Sequence, residues 1–160
     1  MGNYNRQLTF YTDGSYSRKS GMGGWAMICI ENENIIDKQS GYEPYTTGNR
    51  MEIMAFLCAL ETINTIPSGR LDITIYTDSA YVANTFNQNW YKKWLNNGWK
   101  TADKQDVKNQ DLWGRVIALY IKLKAKLSSL NIEKVKGHSG IKYNEMVDDM
   151  AVRKRKELED

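Results

Sequence analysis

Two runs of apolar, β-branched and aromatic residues repeat one phrase along this chain. Leu8 to Ser15 reads L-T-F-Y-T-D-G-S, and Ile73 to Ser79 reads I-T-I-Y-T-D-S. Such runs predict buried strands. Each closes on an aspartate, Asp13 or Asp78, with a turn former behind it, Gly14 or Ser79. Trp25–Ile30 and Ile35–Tyr42 read as two further strands, and the short connections around them predict an antiparallel meander. Helical periodicity then takes over. Arg50 to Ile63 is apolar almost all round, which predicts a deeply packed helix, and Asn49 and Glu52 at its start have the spacing of a capping box. A second helix is predicted from Ser79 to about Phe86, and a third over Asn89–Asn96, stopped by Asn97-Gly98. The fourth covers Asp111–Ser128, where Leu112, Val116, Leu119, Leu123 and Leu127 keep the helical period. A strand over Leu130–Lys136 and a helix from Asn144 complete the pattern.

If the two echoing strands lie side by side in one direction, Asp13 and Asp78 emerge at one edge of the sheet, where ligands bind in open α/β sheets. The plainer reading is that Asp78 caps the helix that follows and Asp13 makes a turn. Glu52 is the only acid in an otherwise apolar stretch, and its plainer reading is a first-turn carboxylate favoured by the helix dipole. A crossover from the third strand into the strand ending at Asp78 would carry this helix over the sheet and turn Glu52 toward the two aspartates. The glycines after Asp13 lack the Gly-Lys-Ser/Thr of a phosphate loop and are read as a turn.

The length of 160 residues predicts one domain, 1–160, with a core of its own. Cys29 and Cys58 each sit in an apolar run and read as small hydrophobes; with no Cys-x-x-Cys and a single histidine, a zinc site is not expected. Met1–Gln7 lacks the apolar core of a signal peptide and no apolar run is long enough to cross a bilayer, so a cytoplasmic protein with no membrane partner is expected. The net charge of +3 is modest but unevenly spread. Trp90 to Lys126 holds nine basic and three acidic residues, with four of the five tryptophans, so the remainder is net negative. Cations interleaved with aromatic rings suit a sugar-phosphate backbone. A solvated helix face with its tryptophans in the core is the alternative.

The motifs Y-T-D-G-S, T-T-G-N-R-M-E, Y-T-D-S-A-Y-V, W-K-T-A-D-K, V-K-N-Q-D-L-W and V-K-G-H-S-G followed by N-E-M-V-D-D, kept in order from about Phe10 to Ala151, resemble type 1 ribonuclease H of the bacterial kind. The resemblance implies an α/β ribonuclease H-like fold, a mixed five-stranded sheet flanked by helices on both faces. It also implies hydrolysis of the RNA strand of an RNA/DNA hybrid by two-metal-ion catalysis, giving 3′-hydroxyl and 5′-phosphate ends. By position, Asp13, Glu52, Asp78 and Asp148 match the family's metal-binding carboxylates, and His138 its mobile-loop histidine. Two Mg²⁺ ions are the implied cofactor, with Mn²⁺ a possible substitute; hard cations offset four carboxylates that have no basic partner in their own motifs.

The tryptophan-bearing helix and the loop behind it resemble the family's basic handle. Trp90 and Trp94 match positions that pack on the DNA strand, beside Lys92 and Lys93, and Thr47 and Asn109 match residues that hold a DNA phosphate. Asn49 is kept among the minor-groove amides, whereas Lys19, Gly48 and Ala80 depart from them and Tyr45 stands where an arginine is common. No protein partner is implied, and a monomer is expected. A hybrid-binding module without catalysis, or another nuclease or strand-transfer enzyme of the wider superfamily, are the competing readings.

Overall fold

Strand β1 (Arg6–Tyr16) is the middle strand of a five-stranded sheet ordered β3-β2-β1-β4-β5. The other strands are β2 (Gly23–Glu31), β3 (Asn34–Glu43), β4 (Leu71–Thr77) and β5 (Ser129–Lys134). The helices are α1 (Gly48–Asn64), α2 (Ala80–Asn87), α3 (Trp90–Asn97), α4 (Gln110–Lys126) and α5 (Lys142–Glu159). This computed structural model describes residues 5–67, 70–135 and 142–159. β1, β2 and β3 form the expected antiparallel meander, and β4 and β5 add in parallel to β1. Asn32 and Glu33, both with positive φ, make the two-residue turn between β2 and β3, a geometry that matches the twist of the strands.

Alternation along the strands divides the apolar residues between two faces. Leu8, Phe10, Met27, Cys29, Ile73 and Ile75 belong to the larger core, shared with α1, α2 and α4. Ala26, Ile28 and Ile30 face the other way, onto Val147 and Ala151 of α5, with Tyr11, Tyr143, Met146 and Met150 around them. The helices on the two faces approach the sheet through glycine. A methyl group on Gly14 would lie 2.6 Å from the backbone nitrogen of Glu52, and one on Gly24 would lie 2.2 Å from the carbonyl oxygen of Ala151. Neither distance leaves room for a side chain, so α1 and α5 dock backbone to backbone on β1 and β2. No helix among the described residues is long and apolar enough to cross a membrane.

Candidate active site

The echoed phrase is also a spatial pair. β1 and β4 run parallel with Tyr11 opposite Tyr76 and Thr12 opposite Thr77, so Asp13 and Asp78 leave the sheet side by side at one edge. The two tyrosines stack at 5.1 Å, and the Thr12 hydroxyl donates to the Tyr76 carbonyl at 3.1 Å, fixing the strands just before the aspartates. On one face, the contact at Gly14 brings Glu52 of α1 to this edge. On the other, α5 brings Asp148 within hydrogen-bonding reach of Asp13. One carboxylate oxygen from each of Asp13, Glu52 and Asp78 lies within 4.8 Å of the others.

None of these acids is a helix cap. The Ser79 hydroxyl accepts the Val82 N–H at 3.1 Å, so Ser79, not Asp78, caps α2. The expected Asn49–Glu52 capping box does not form: Thr47, with extended φ and ψ, caps α1 by accepting the Arg50 N–H at 3.2 Å, and no acid lies in the first turn. Thr47 offers a hydroxyl three residues ahead of that N–H, which places Asn49 inside the helix and Glu52 beyond its first turn. The Asp13 carboxylate accepts the Gly14 N–H at 2.9 Å, so part of its turn-making reading holds.

The charges are crowded out of water. Asp13 is only 3% exposed. Burial, then the hydrogen bond from Asp148 and the charges of Asp78 and Asp148, push its carboxyl up to about 9, although the Gly14 N–H opposes this. Burial and the charges of Asp13 and Asp78 hold Glu52 well above the usual carboxylate range. Glu52 Oε1 is buried with no hydrogen-bond partner. An orphaned anionic oxygen costs free energy unless a cation or proton meets it. Among the described residues, Asp13, Glu52 and Asp78 are the only set of three spaced to hold a metal ion. All three donors are hard oxygens, which fits a hard divalent cation.

His138 lies outside the described residues. Lys19 is exposed in the turn between β1 and β2, and Thr47 and Asn49 are exposed at the start of α1. Asn109 precedes α4 with φ +62° and makes no side-chain cap. In α3, Lys92 and Lys93 are exposed and Trp90 is partly buried. Trp94 is 6% exposed, stacked on Trp99 at 6.1 Å and edge-on to Trp113 at 5.6 Å, so it belongs to the core. Trp90, Tyr81, Lys93, Asn97 and Lys100 line a cavity of about 370 Å³ beneath the basic loop. That loop is held by the Val107 N–H donating to the Trp99 carbonyl at 2.9 Å and by a Lys100–Asp106 ion pair.

Sequence reasoning passed over Arg50, which joins these groups. Its guanidinium donates to Glu43 of β3, to Asn109, and in a two-pronged contact to Asp111 of α4. The signal was a cation in the first turn of a helix, where the dipole disfavours it unless anions surround it.

The RNase H family profile matches residues 5–156. A ribonuclease H of Chlorobaculum parvum is 42% identical over 146 residues, 91% of this chain and 93% of the relative. Among solved structures, LC9-RNase H1, a type 1 RNase H with the type 2 active-site motif, superposes with TM-score 0.77 at 22% identity over 98% of this chain and 75% of that one. LC11-RNase H1 in complex with an RNA/DNA hybrid superposes with TM-score 0.67 at 17% identity, covering 96% and 99%. At those identities the two structures speak to the fold alone.

Proposed function

As the chain belongs to the ribonuclease H family, we propose that it hydrolyses the RNA strand of RNA/DNA hybrids, as a monomer, leaving 3′-hydroxyl and 5′-phosphate ends. One observation carries the reading: three carboxylates from two parallel strand ends and a helix converge within 4.8 Å, with a fourth beside Asp13. The orphaned Glu52 Oε1 and the absence of any basic partner for the three among the described residues support a cation site here. Asp13, Glu52 and Asp78 would hold one divalent ion, Mg²⁺ or in its place Mn²⁺, and Asp13 with Asp148 a second. Bound there, such ions lower the pKa of a water and stabilise the leaving oxygen of a phosphodiester.

The chain's own groups do the rest. Asp13 would be shared by the two ions, its orientation held by the Gly14 N–H. Glu52 and Asn49 share the start of α1, where the 2′-hydroxyl of the RNA strand is read, which makes ribose a requirement at the cut site. Thr47 and Asn109 take a phosphate of the DNA strand. Trp90, Lys92, Lys93 and Lys19 supply aromatic and cationic contacts along the duplex. Trp94, being buried, supports Trp99 by packing. His138 assists proton transfer or product departure. The absence of a Ser-His or Cys-His pair among the motifs suits direct attack by water. The test is cleavage of matched hybrid, duplex RNA and duplex DNA with Mg²⁺, with the product ends identified. Cutting confined to the RNA of the hybrid, with 3′-hydroxyl ends, is expected; equal cutting of another duplex, or none of the hybrid, overturns the reading.

A further inference from the structure

The two residues proposed to take a phosphate, Thr47 and Asn109, both make hydrogen bonds to Arg50. Thr47 and Asn109 come from the starts of two different helices, α1 and α4. A hydroxyl can donate or accept, and a carboxamide presents either its oxygen or its NH₂. An anion needs donors only. Left free, the pair would be of mixed polarity, and half of its orientations would turn an oxygen on the phosphate.

Position 50 restricts that freedom at both residues, through its backbone at Thr47 and through its guanidinium at Asn109. The backbone N–H, which any residue here would supply, donates to Thr47 Oγ1 at 3.2 Å, occupying one lone pair of the hydroxyl and leaving its proton free to donate. Arg50 Nη1 lies 3.3 Å from Asn109 Oδ1. A guanidinium has no acceptor, so the contact admits only the amide oxygen and leaves the Asn109 NH₂ to face away. The amide is not used to cap α4.

The arginine is itself held on three sides. Nε donates to Glu43 Oε1 at 2.8 Å, and Nη1 and Nη2 donate to the two Asp111 oxygens at 3.0 and 2.8 Å. Four separate hydrogen bonds thus fix one planar group whose side chain is 24% exposed. Asp111 lies in the first turn of α4, where the dipole favours it, and it carries the charge balance that lets Arg50 sit at the positive end of α1. The planar fork does what a lysine cannot: an ammonium could pair with one carboxylate but could not span Glu43, Asn109 and Asp111 at once.

We infer that the Arg50 guanidinium is a positioning group for substrate, holding the Asn109 oxygen so that its NH₂ is turned outward, beside the Thr47 hydroxyl, to donate to a backbone phosphate that Arg50 itself does not touch. The inference rests on the hybrid reading for the identity of the phosphate. Its scope is grip, not chemistry, since the packing at Gly14 that brings Glu52 to the site does not involve the guanidinium.

Arg50→Lys keeps the charge and loses the fork. With Mg²⁺ and hybrid it should raise KM about tenfold and leave kcat within about twofold. Asn109→Asp keeps an oxygen toward Arg50 and removes the outward NH₂; it should raise KM at least as much while folding normally. Because both changes disable one device, the double variant should be little worse than Asn109→Asp alone. Affinity for uncleaved hybrid without metal, measured in parallel with circular dichroism, supplies the second readout. An unchanged KM and affinity in folded Arg50→Lys overturns the inference, as do strictly additive effects in the double variant. Should Arg50→Lys fail to fold, Asn109→Asp decides: unchanged KM and affinity there overturn it. Wild-type protein that binds hybrid without cutting it refutes the hybrid-cleavage reading but leaves the affinity comparison to judge Arg50.

Discussion

Replacing Asp13 with asparagine should make the metal-free protein more stable and inactive. The carboxyl stays protonated in the fold up to about pH 9, whereas in the unfolded chain it ionises near 3.8. Between those values the unfolded state has released a proton that the folded state keeps. A raised carboxyl therefore contributes stability that is present at low pH and lost as pH rises from about 4 to about 9. At pH 7 the separation is about three pH units at about 1.4 kcal/mol each, or about 4 kcal/mol. Asp78, Glu52 and Asp148 share the crowding and can relax apart, so the gain on removing one charge should fall at about 1 to 4 kcal/mol. For a chain of this size that is about 3 to 12 °C in Tm. Asparagine keeps an oxygen for the Gly14 N–H and turns an NH₂ toward Asp148, so the geometry survives. The assay is thermal unfolding in EDTA from pH 4 to 9 for both proteins, with hybrid cleavage in Mg²⁺ alongside. The stability gap should open as pH rises and cleavage should vanish. A gap that is flat with pH, or a variant less stable throughout, would refute the electrostatic reasoning; clear cleavage would refute the place of Asp13 between two ions.

Three further outcomes are expected. His138→Ala should lower kcat at least about tenfold with little change in KM, and calorimetry should find Mg²⁺ affinity unaltered; a large loss of metal affinity would make the histidine a ligand instead. Lys19→Asn should flatten the dependence of log K on log salt by about 0.9, the share of one phosphate contact, and an identical slope would mean that Lys19 serves only solvent. Gly24→Ala places a methyl group 2.2 Å from the Ala151 carbonyl oxygen. It should cost about 1 to 3 kcal/mol and reduce cleavage by displacing α5 with Asp148; an unchanged Tm would show that α5 can shift freely.

The strand echo was readable in advance because two strands of the same phase, paired in parallel, must present their like residues together, and Thr12 does face Thr77. The meander was readable for a similar reason, short polar connections leaving little choice of partner. What the sequence hid were choices among near neighbours. Thr47 and Asn49 are both good caps, and only the extended backbone at Thr47 decides between them. Trp90 and Trp94 share a helix face at a four-residue spacing, yet Trp94 is buried because Trp99 and Trp113 close over it from elsewhere in the chain. Arg50 read as one more cation, since its partners Glu43, Asn109 and Asp111 lie up to 61 residues away.

The smaller of the two cores has a consequence for how the molecule comes into being. Among the described residues, Ala26, Ile28 and Ile30 have only α5 to cover them, and α5 follows all five strands in the chain. A ribosome has placed Asp13, Glu52 and Asp78 some 70 residues before it reaches Asp148, a delay of roughly 4 to 14 s at ordinary speeds of synthesis. At the end of that interval, once α4 and β5 have been made, the nascent sheet is covered on one side and bare on the other, offering an apolar patch to chaperones and three acids that still lack the fourth. The docking of one late helix hides the patch and completes the carboxylate set together, so a chain broken off early is left sticky and unarmed.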